Sequence, residues 1–223
     1  MGIKKTYSEG TPGTIASYDF EDIATNTGIV KFYAGNTSGG AILSNNEFWS
    51  LASYTSNTFN TPNIISGTLI IDKDFDVLFN RQSVIRGKTN INVPFGVNMQ
   101  HGGSQYRSYI IAKVRKWDGT TETEIASGQS PIFAGQGIDT ITAMFCIEVD
   151  IPSTIIKAGE YLRLTIEQYA GGPGATANAH GIYFFAHDPK GRDVTFWSDT
   201  DYGWAGDGVS TILTFPVPFR IDL

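Results

Sequence analysis

Asp199, Asp201 and Asp207 stand among Trp197, Tyr202 and Trp204 in the stretch WSDTDYGWAGDG. Aromatic rings stack on the C–H faces of sugars while carboxylates accept their hydroxyls, and the same acids could hold calcium. Tryptophan and tyrosine are also enriched where proteins meet, so the six are candidate ligand or interface residues. A second acidic series, Asp72, Asp74 and Asp76, begins like a calcium loop. It lacks the rest, because Val77 and Ser83 stand where an EF-hand needs glycine and glutamate, and Phe75 and Val77 interleave as strand residues do. A solvated strand face is the better reading.

Other chemistry lacks its frame. His101, His180 and His187 form no H-x-H or H-E-x-x-H pair, and the H-x-H of cupin metalloenzymes is missing. Gly128-Gln129-Ser130-Pro131 is not a nucleophile elbow, and Gly171-Gly172-Pro173-Gly174 has no following Lys-Ser/Thr for a phosphate loop. Cys146 lies between Met144 and Glu148 on one strand parity, without the positive neighbourhood that activates a thiol, and reads as a small packing residue. No catalytic, cofactor-binding or metal-ligating residue is therefore assigned. The expectation is a chain that is not an enzyme and needs no cofactor.

The elements that would position these residues are strands. In Asp139–Tyr169 the apolar Ile141, Ala143, Phe145, Ile147, Val149 and Ile151 alternate with polar residues, and after the turn Lys157–Glu160 so do Leu162, Leu164 and Ile166. Ile65–Ile71 and Phe75–Phe79 read as one strand broken or bulged at Asp72–Asp74. Asn90–Met99 alternates, with Pro94 pointing to an edge or a bulge. Tyr106–Trp117 and Thr121–Ala126 form a hairpin through Asp118-Gly119, Gly-rich loops span 127–137 and 170–180, and Ile182–Ala186 and the segment from Val209 complete the set. This predicts an all-β antiparallel sandwich, best matched by a jelly roll, with an immunoglobulin-like sandwich second.

The division expected is residues 1–62 as an N-terminal arm or small β-subdomain and 63–223 as the sandwich. The arm is rich in Thr, Ser, Asn and Gly, but Tyr18, Phe20, Phe32, Tyr33, Phe48 and Trp49 carry apolar area that must be covered, by the sandwich or by a neighbouring subunit. Only 17% of the 223 residues are charged, and 16 basic against 22 acidic residues leave −6, without the basic run that nucleic acid requires. No apolar stretch reaches transmembrane length, and MGIKKT, though it fits the N-myristoylation pattern at Gly2 and Thr6, reads as an ordinary N-terminus. Neither nucleic acid nor membrane is an expected partner.

The neutral N-terminal arm, the strand Asp139–Ile151, IIKAGEYLRLTIEQY and the final VSTILTFPVPFRIDL together resemble the jelly-roll structural proteins of tailed viruses, those that decorate capsids or form turrets and fibre bases. The resemblance is one of style over most of the chain. It implies a virion protein, assembled in the host cytoplasm, that forms a homo-oligomer such as a trimer and binds the major capsid protein or another virion component. A carbohydrate- or receptor-binding module on the same fold, with a glycan as partner, is the alternative.

Overall fold

Twelve strands run through the described residues of the computed structural model, which are 27–61, 67–99, 105–136, 140–171, 179–191 and 211–220. In chain order they are β1 (Thr27–Thr37), β2 (Gly40–Ser44), β3 (Tyr54–Thr61), β4 (Thr68–Leu78), β5 (Ser83–Met99), β6 (Gln105–Trp117), β7 (Glu122–Gln129), β8 (Phe133–Gln136), β9 (Thr140–Ile156), β10 (Tyr161–Ala170), β11 (Ala179–Ala186) and β12 (Thr214–Arg220). The expected all-β sandwich is what the chain forms. The strands join in the order β3-β11-β5-β12-β1-β2-β4-β10-β6-β7, with β9 on the other edge of β5 and β8 on β6. A single parallel bridge, Ile42 to Asp76, is the seam between the two halves.

One core fills the space between those halves. Ile91, Val93, Phe95 and Val97 of β5, Ile147, Val149 and Ile151 of β9, and Phe215 and Val217 of β12 meet Ile110, Ala112 and Val114 of β6 and Leu162, Leu164 and Ile166 of β10. Each set is one parity of its strand, so the alternation read from sequence is the inside of the sandwich. Residues 27–61 contribute strands to this same sheet: β1 pairs with β12, and β3 pairs with β11 along its whole length. Phe32 lies in the core.

Several local expectations are corrected. β4 runs unbroken through Asp72–Asp74, and its register shift against β10 lies further back, around Ile70. Asn57 reaches that irregularity from β3 and donates to the Ile70 carbonyl at 2.8 Å. Pro94 is on an interior strand, where β5 changes partner from β12 at Asn92 to β11 at Phe95. A missing N–H breaks least at such a step. The bulge of β5 is instead at Gly87, whose φ of 114° suits glycine and sits where the β5–β9 register slips. The β6–β7 turn is longer than two residues: Trp117 pairs with Glu122, and the Asp118 carboxylate accepts from the Thr120 and Thr121 amides and the Thr120 hydroxyl, bonds that hold its pKa down to about 2. The stretch read as a loop from residue 127 is still strand β7 to Gln129, and Cys146 is exposed on β9, not packed.

β12 shows how a proline-bearing strand can sit inside a sheet. Its ladder to β1 is continuous from Thr214 to Arg220, but its ladder to β5 lapses between Thr214 and Phe219, the interval that holds Pro216 and Pro218. Side chains fill the gap. The Thr89 hydroxyl donates to the Pro216 carbonyl and Asn92 donates to Thr214 Oγ1 at 3.2 Å.

The sandwich draws together again where β7 passes β9. A Cβ on Gly128 would collide with the Glu148 carbonyl oxygen and press on Ile147 and Val149. Backbone cannot retreat as a flexible side chain can. Gly128→Val is expected to lower stability by about 1–3 kcal/mol, read as a lower urea midpoint, while Gly39→Ala in the exposed β1–β2 turn changes it by less than about 0.5 kcal/mol. Equal midpoints for the two variants would show that β7 and β9 do not meet so closely.

Candidate functional site

Strand β10 is flanked on both edges, by β4 and by β6, and its outward parity is Tyr161, Arg163, Thr165, Glu167 and Tyr169. The register sets Asp76, Asp74 and Asp72 of β4 beside Arg163, Thr165 and Glu167. On the other edge it sets Trp117, Arg115, Lys113 and Tyr109 of β6 beside Tyr161, Arg163, Thr165 and Tyr169. This is the densest array of ionisable and aromatic side chains among the described residues.

Like charges face each other twice in that register, and each clash has an identifiable relief. Arg163 is opposite Arg115, and Glu122 of β7 bridges them, with one oxygen 3.1 Å from each guanidinium. Arg163 also clasps Asp76 through two bonds of 2.7 Å, lies 3.0 Å from Asp74 and covers the Trp117 ring at 4.5 Å. The bonds to Asp76 are the main cause that raises its pKa further. Glu167 is opposite Asp72, and only 4% of it is exposed. Lys113 at 2.5 Å and Arg115 at 3.6 Å offset its charge, and the Tyr169 hydroxyl donates to it at 2.8 Å. Asp72 has less relief: burial first, then the charges of Asp74 and Glu167, push its pKa up.

The phenols respond to the same carboxylate. Burial and then the bond to Glu167 push Tyr169 up to about 12, and burial with the Glu167 charge raises Tyr109. Their rings stack nearly parallel, 4.9 Å apart. One face of each tyrosine ring is thus taken by the other tyrosine, and one face of Trp117 by the Arg163 guanidinium. The carboxylates are engaged as well, since Thr165 donates to Asp74 at 2.6 Å, and no three His, Cys, Asp or Glu side chains among the described residues converge on a metal position.

The remaining sequence candidates fall elsewhere. Trp197, Asp199, Asp201, Tyr202, Trp204, Asp207, Tyr18, Phe20 and His101 lie outside the described residues. Tyr33 is half-buried beneath the Lys31 ammonium, 4.9 Å from the ring centre. Phe48 packs over Gly35. Trp49 and Leu51 project, 67% and 72% exposed, from a connection pinned to β1: the Leu51 amide donates to the Asn36 carbonyl, and the buried Ser50 hydroxyl accepts from the Asn36 amide. His187 is buried just after β11.

No protein-family model matches the sequence, and no curated protein matches it. Solved structures share its fold. An aminopeptidase from the marine sediment archaeon Thaumarchaeota archaeon aligns with TM-score 0.53 and 7% identity over 88% of this chain and 37% of that one. A CocE/NonD family hydrolase from Staphylococcus aureus aligns with TM-score 0.47 and 12% identity, over 87% of this chain and 37% of that one. The infectious bursal disease virus Gx strain structure gives 0.35 and 11%, over 84% and 42%. The chain spans just over a third of the length of the two hydrolases.

The expectation of a chain that is not an enzyme is corrected here. It was drawn from missing motifs, yet this sandwich is an architecture found within an aminopeptidase polypeptide, so neither the fold nor the lack of a linear motif supports it. At 7% identity the likeness is one of fold alone.

Glu167 is the group on which the face turns. Glu167→Gln keeps its shape but leaves Lys113 without its carboxylate and Arg115 with Glu122 alone, and is expected to cost about 2–3 kcal/mol in urea unfolding, toward the low end for a buried pair because Lys113 is partly solvated. In the same variant the Tyr169 hydroxyl, followed by NMR of labelled tyrosine rings, is expected to ionise at lower pH than in the wild type while staying above a free phenol, since burial persists. An unchanged tyrosine titration would place Tyr169 away from Glu167.

Proposed function

We propose that the chain is a docking β-sandwich of a larger assembly, a virion structural protein of the capsid-decoration or turret type that attaches to the major capsid protein and self-assembles as a trimer. The observation that carries this reading is the pair Trp49 and Leu51. Both present large apolar side chains to solvent from a connection fixed to β1 by backbone and serine hydrogen bonds, so little freedom remains to be lost on contact. Tryptophan held in this way is the residue type that most often dominates a protein–protein contact. The low charge fraction supports the same reading, because neutral surface is cheaper to desolvate.

A second reading is that the sandwich is a component of a hydrolase acting on peptide or ester bonds. The aminopeptidase, in which a related sandwich occupies part of a longer polypeptide, favours it. Turnover of chromogenic aminoacyl or acyl esters by the purified chain, abolished by one side-chain substitution, would establish it over the docking role.

Light scattering on the full chain tests the first reading. The wild type is expected to be a trimer, and Trp49→Ala with Leu51→Ala to weaken self-association or capsid binding by roughly 30-fold or more, the loss expected for one strong contact residue. Circular dichroism should not change. A monomer at every concentration that also fails to sediment with capsid shells would overturn the proposal.

A further inference from the structure

We propose that the outer face of β4, β10 and β6 is self-complementary, and that two copies of the chain pack through it about a two-fold axis parallel to β10. The contact goes beyond the self-assembly proposed above, because it lies on a different surface from Trp49 and Leu51 and joins copies in pairs. Its basis is the register, which sorts the outward side chains into rows across the three strands. At one end the row is Leu78, Tyr161 and Trp117, and at the other it is Leu69, Tyr169 and Tyr109. Two rows between them read Asp76, Arg163, Arg115 and Asp74, Thr165, Lys113. Leu78 and Leu69 are 46% and 44% exposed, so each end of an ionic face keeps apolar area in water.

The charges are sorted by strand. β4 carries the carboxylates of Asp72, Asp74 and Asp76, whereas β6 carries Lys113 and Arg115, so the face is acidic along one side and basic along the other. Ion pairs within the chain offset these charges but leave the sorting in place. The middle column lies lower, with Thr165 fully buried and Glu167 nearly so, and the flanking columns meet whatever is laid on the face.

A two-fold axis dictates how such a surface meets itself. An axis in the face but across the strands would set β4 on the partner's β4, carboxylate on carboxylate. An axis along β10 keeps each row at its own height and reverses it. Leu78 then meets the partner's Trp117, Leu69 the partner's Tyr109, Asp76 the partner's Arg115 and Asp74 the partner's Lys113, and each contact is made twice. The row of Asp72, Glu167 and Ile111 gains no such match. Strands related in this way run in the same direction, within the range of angles at which sheets pack face to face. From Tyr161 to Tyr169 the face is ~27 Å long, and with its side chains it offers roughly 500–600 Å² per copy. Doubled, that area is at the low end for a specific contact, so the pair is weak, with a dissociation constant no tighter than ~1 µM.

Sedimentation velocity of the full chain carrying Trp49→Ala and Leu51→Ala, over ~1–500 µM, tests the pairing apart from the trimer. A monomer–dimer equilibrium is expected that Leu78→Glu weakens roughly tenfold or more and ~0.5 M salt weakens several-fold. Ile29→Glu, at an exposed position of β1 outside the face, should leave it unchanged. Leu69→Glu makes the same test at the other end should Leu78→Glu not fold. Nitroxide labels on Thr120→Cys, in the exposed turn at the Trp117 end, with Cys146→Ser to keep labelling single, should lie ~20–30 Å apart, whereas an axis across the strands would part them beyond ~40 Å. A chain that stays monomeric throughout, a pairing that Leu78→Glu leaves intact or Ile29→Glu removes equally, one that strengthens with salt, or labels beyond that distance would each overturn the proposal. A wild type that forms pairs but no trimer would uphold this contact and sink the one at Trp49.

Discussion

A carboxylate that cannot reach water must be neutralised where it stands, and Glu167 imposes that condition on the whole outer face of β4, β10, β6 and β7. Its neighbours across β4 are acidic, so relief has to come from β6, where Lys113 and Arg115 supply it. Arg115 thereby stands opposite Arg163, and that repulsion in turn needs Glu122 from β7 on one side and Asp74 and Asp76 from β4 on the other. Four strands are tied by one chain of charge compensation. A bidentate guanidinium clasp fixes register as well as charge, since a slip of one residue would carry Arg163 to the core face and Leu162 or Leu164 out of it.

The opposite half of the sheet meets a different constraint. There the outward ion pair of β5 and β9, Lys88 with Glu148, is exposed, and β12 has to hold a place between β1 and β5 while Pro216 and Pro218 lack donors. Two side-chain bonds and the burial of Phe215 and Val217 take the place of a regular ladder. A smaller buried cluster forms there too, as Phe184 lies over Gly96 and packs with Ile182, Ala186 and Tyr54. An exchange of this kind tolerates irregular pairing but depends on side-chain identity at Thr89, Asn92 and Gly96.

What could be read from the sequence follows from which forces are local. Alternation is local, so the buried parities of β5, β9, β10 and β12 were legible from single strands. Partnership is not local. Asp72, Asp74 and Asp76 look alike in sequence, and only the register with β10 separates the two that are clasped from the one that is crowded. The face was in principle visible, because Tyr161, Arg163, Thr165, Glu167 and Tyr169 share a parity that is too charged and aromatic for ordinary solvent, and β6 carries a matching set. Glycine misled in the other direction: Gly128 sits in a stretch whose composition suggests a loop, but a strand needs it there because another backbone passes within contact distance.

Fold likeness and surface chemistry answer different questions about this chain. A sandwich core is reproduced wherever alternating strands close over one another, which is why an aminopeptidase can share it at 7% identity. The features that distinguish this chain lie at its margins. Trp49 and Leu51 stand on a connection fixed to β1, and His187 is sealed by the last residues before β3, so the β2–β3 connection is bordered by an apolar contact pair at one end and a buried titratable ring at the other. The two share a short stretch of backbone, because Ser50 and Leu51 bond Asn36 while the Ser53 carbonyl accepts from His187.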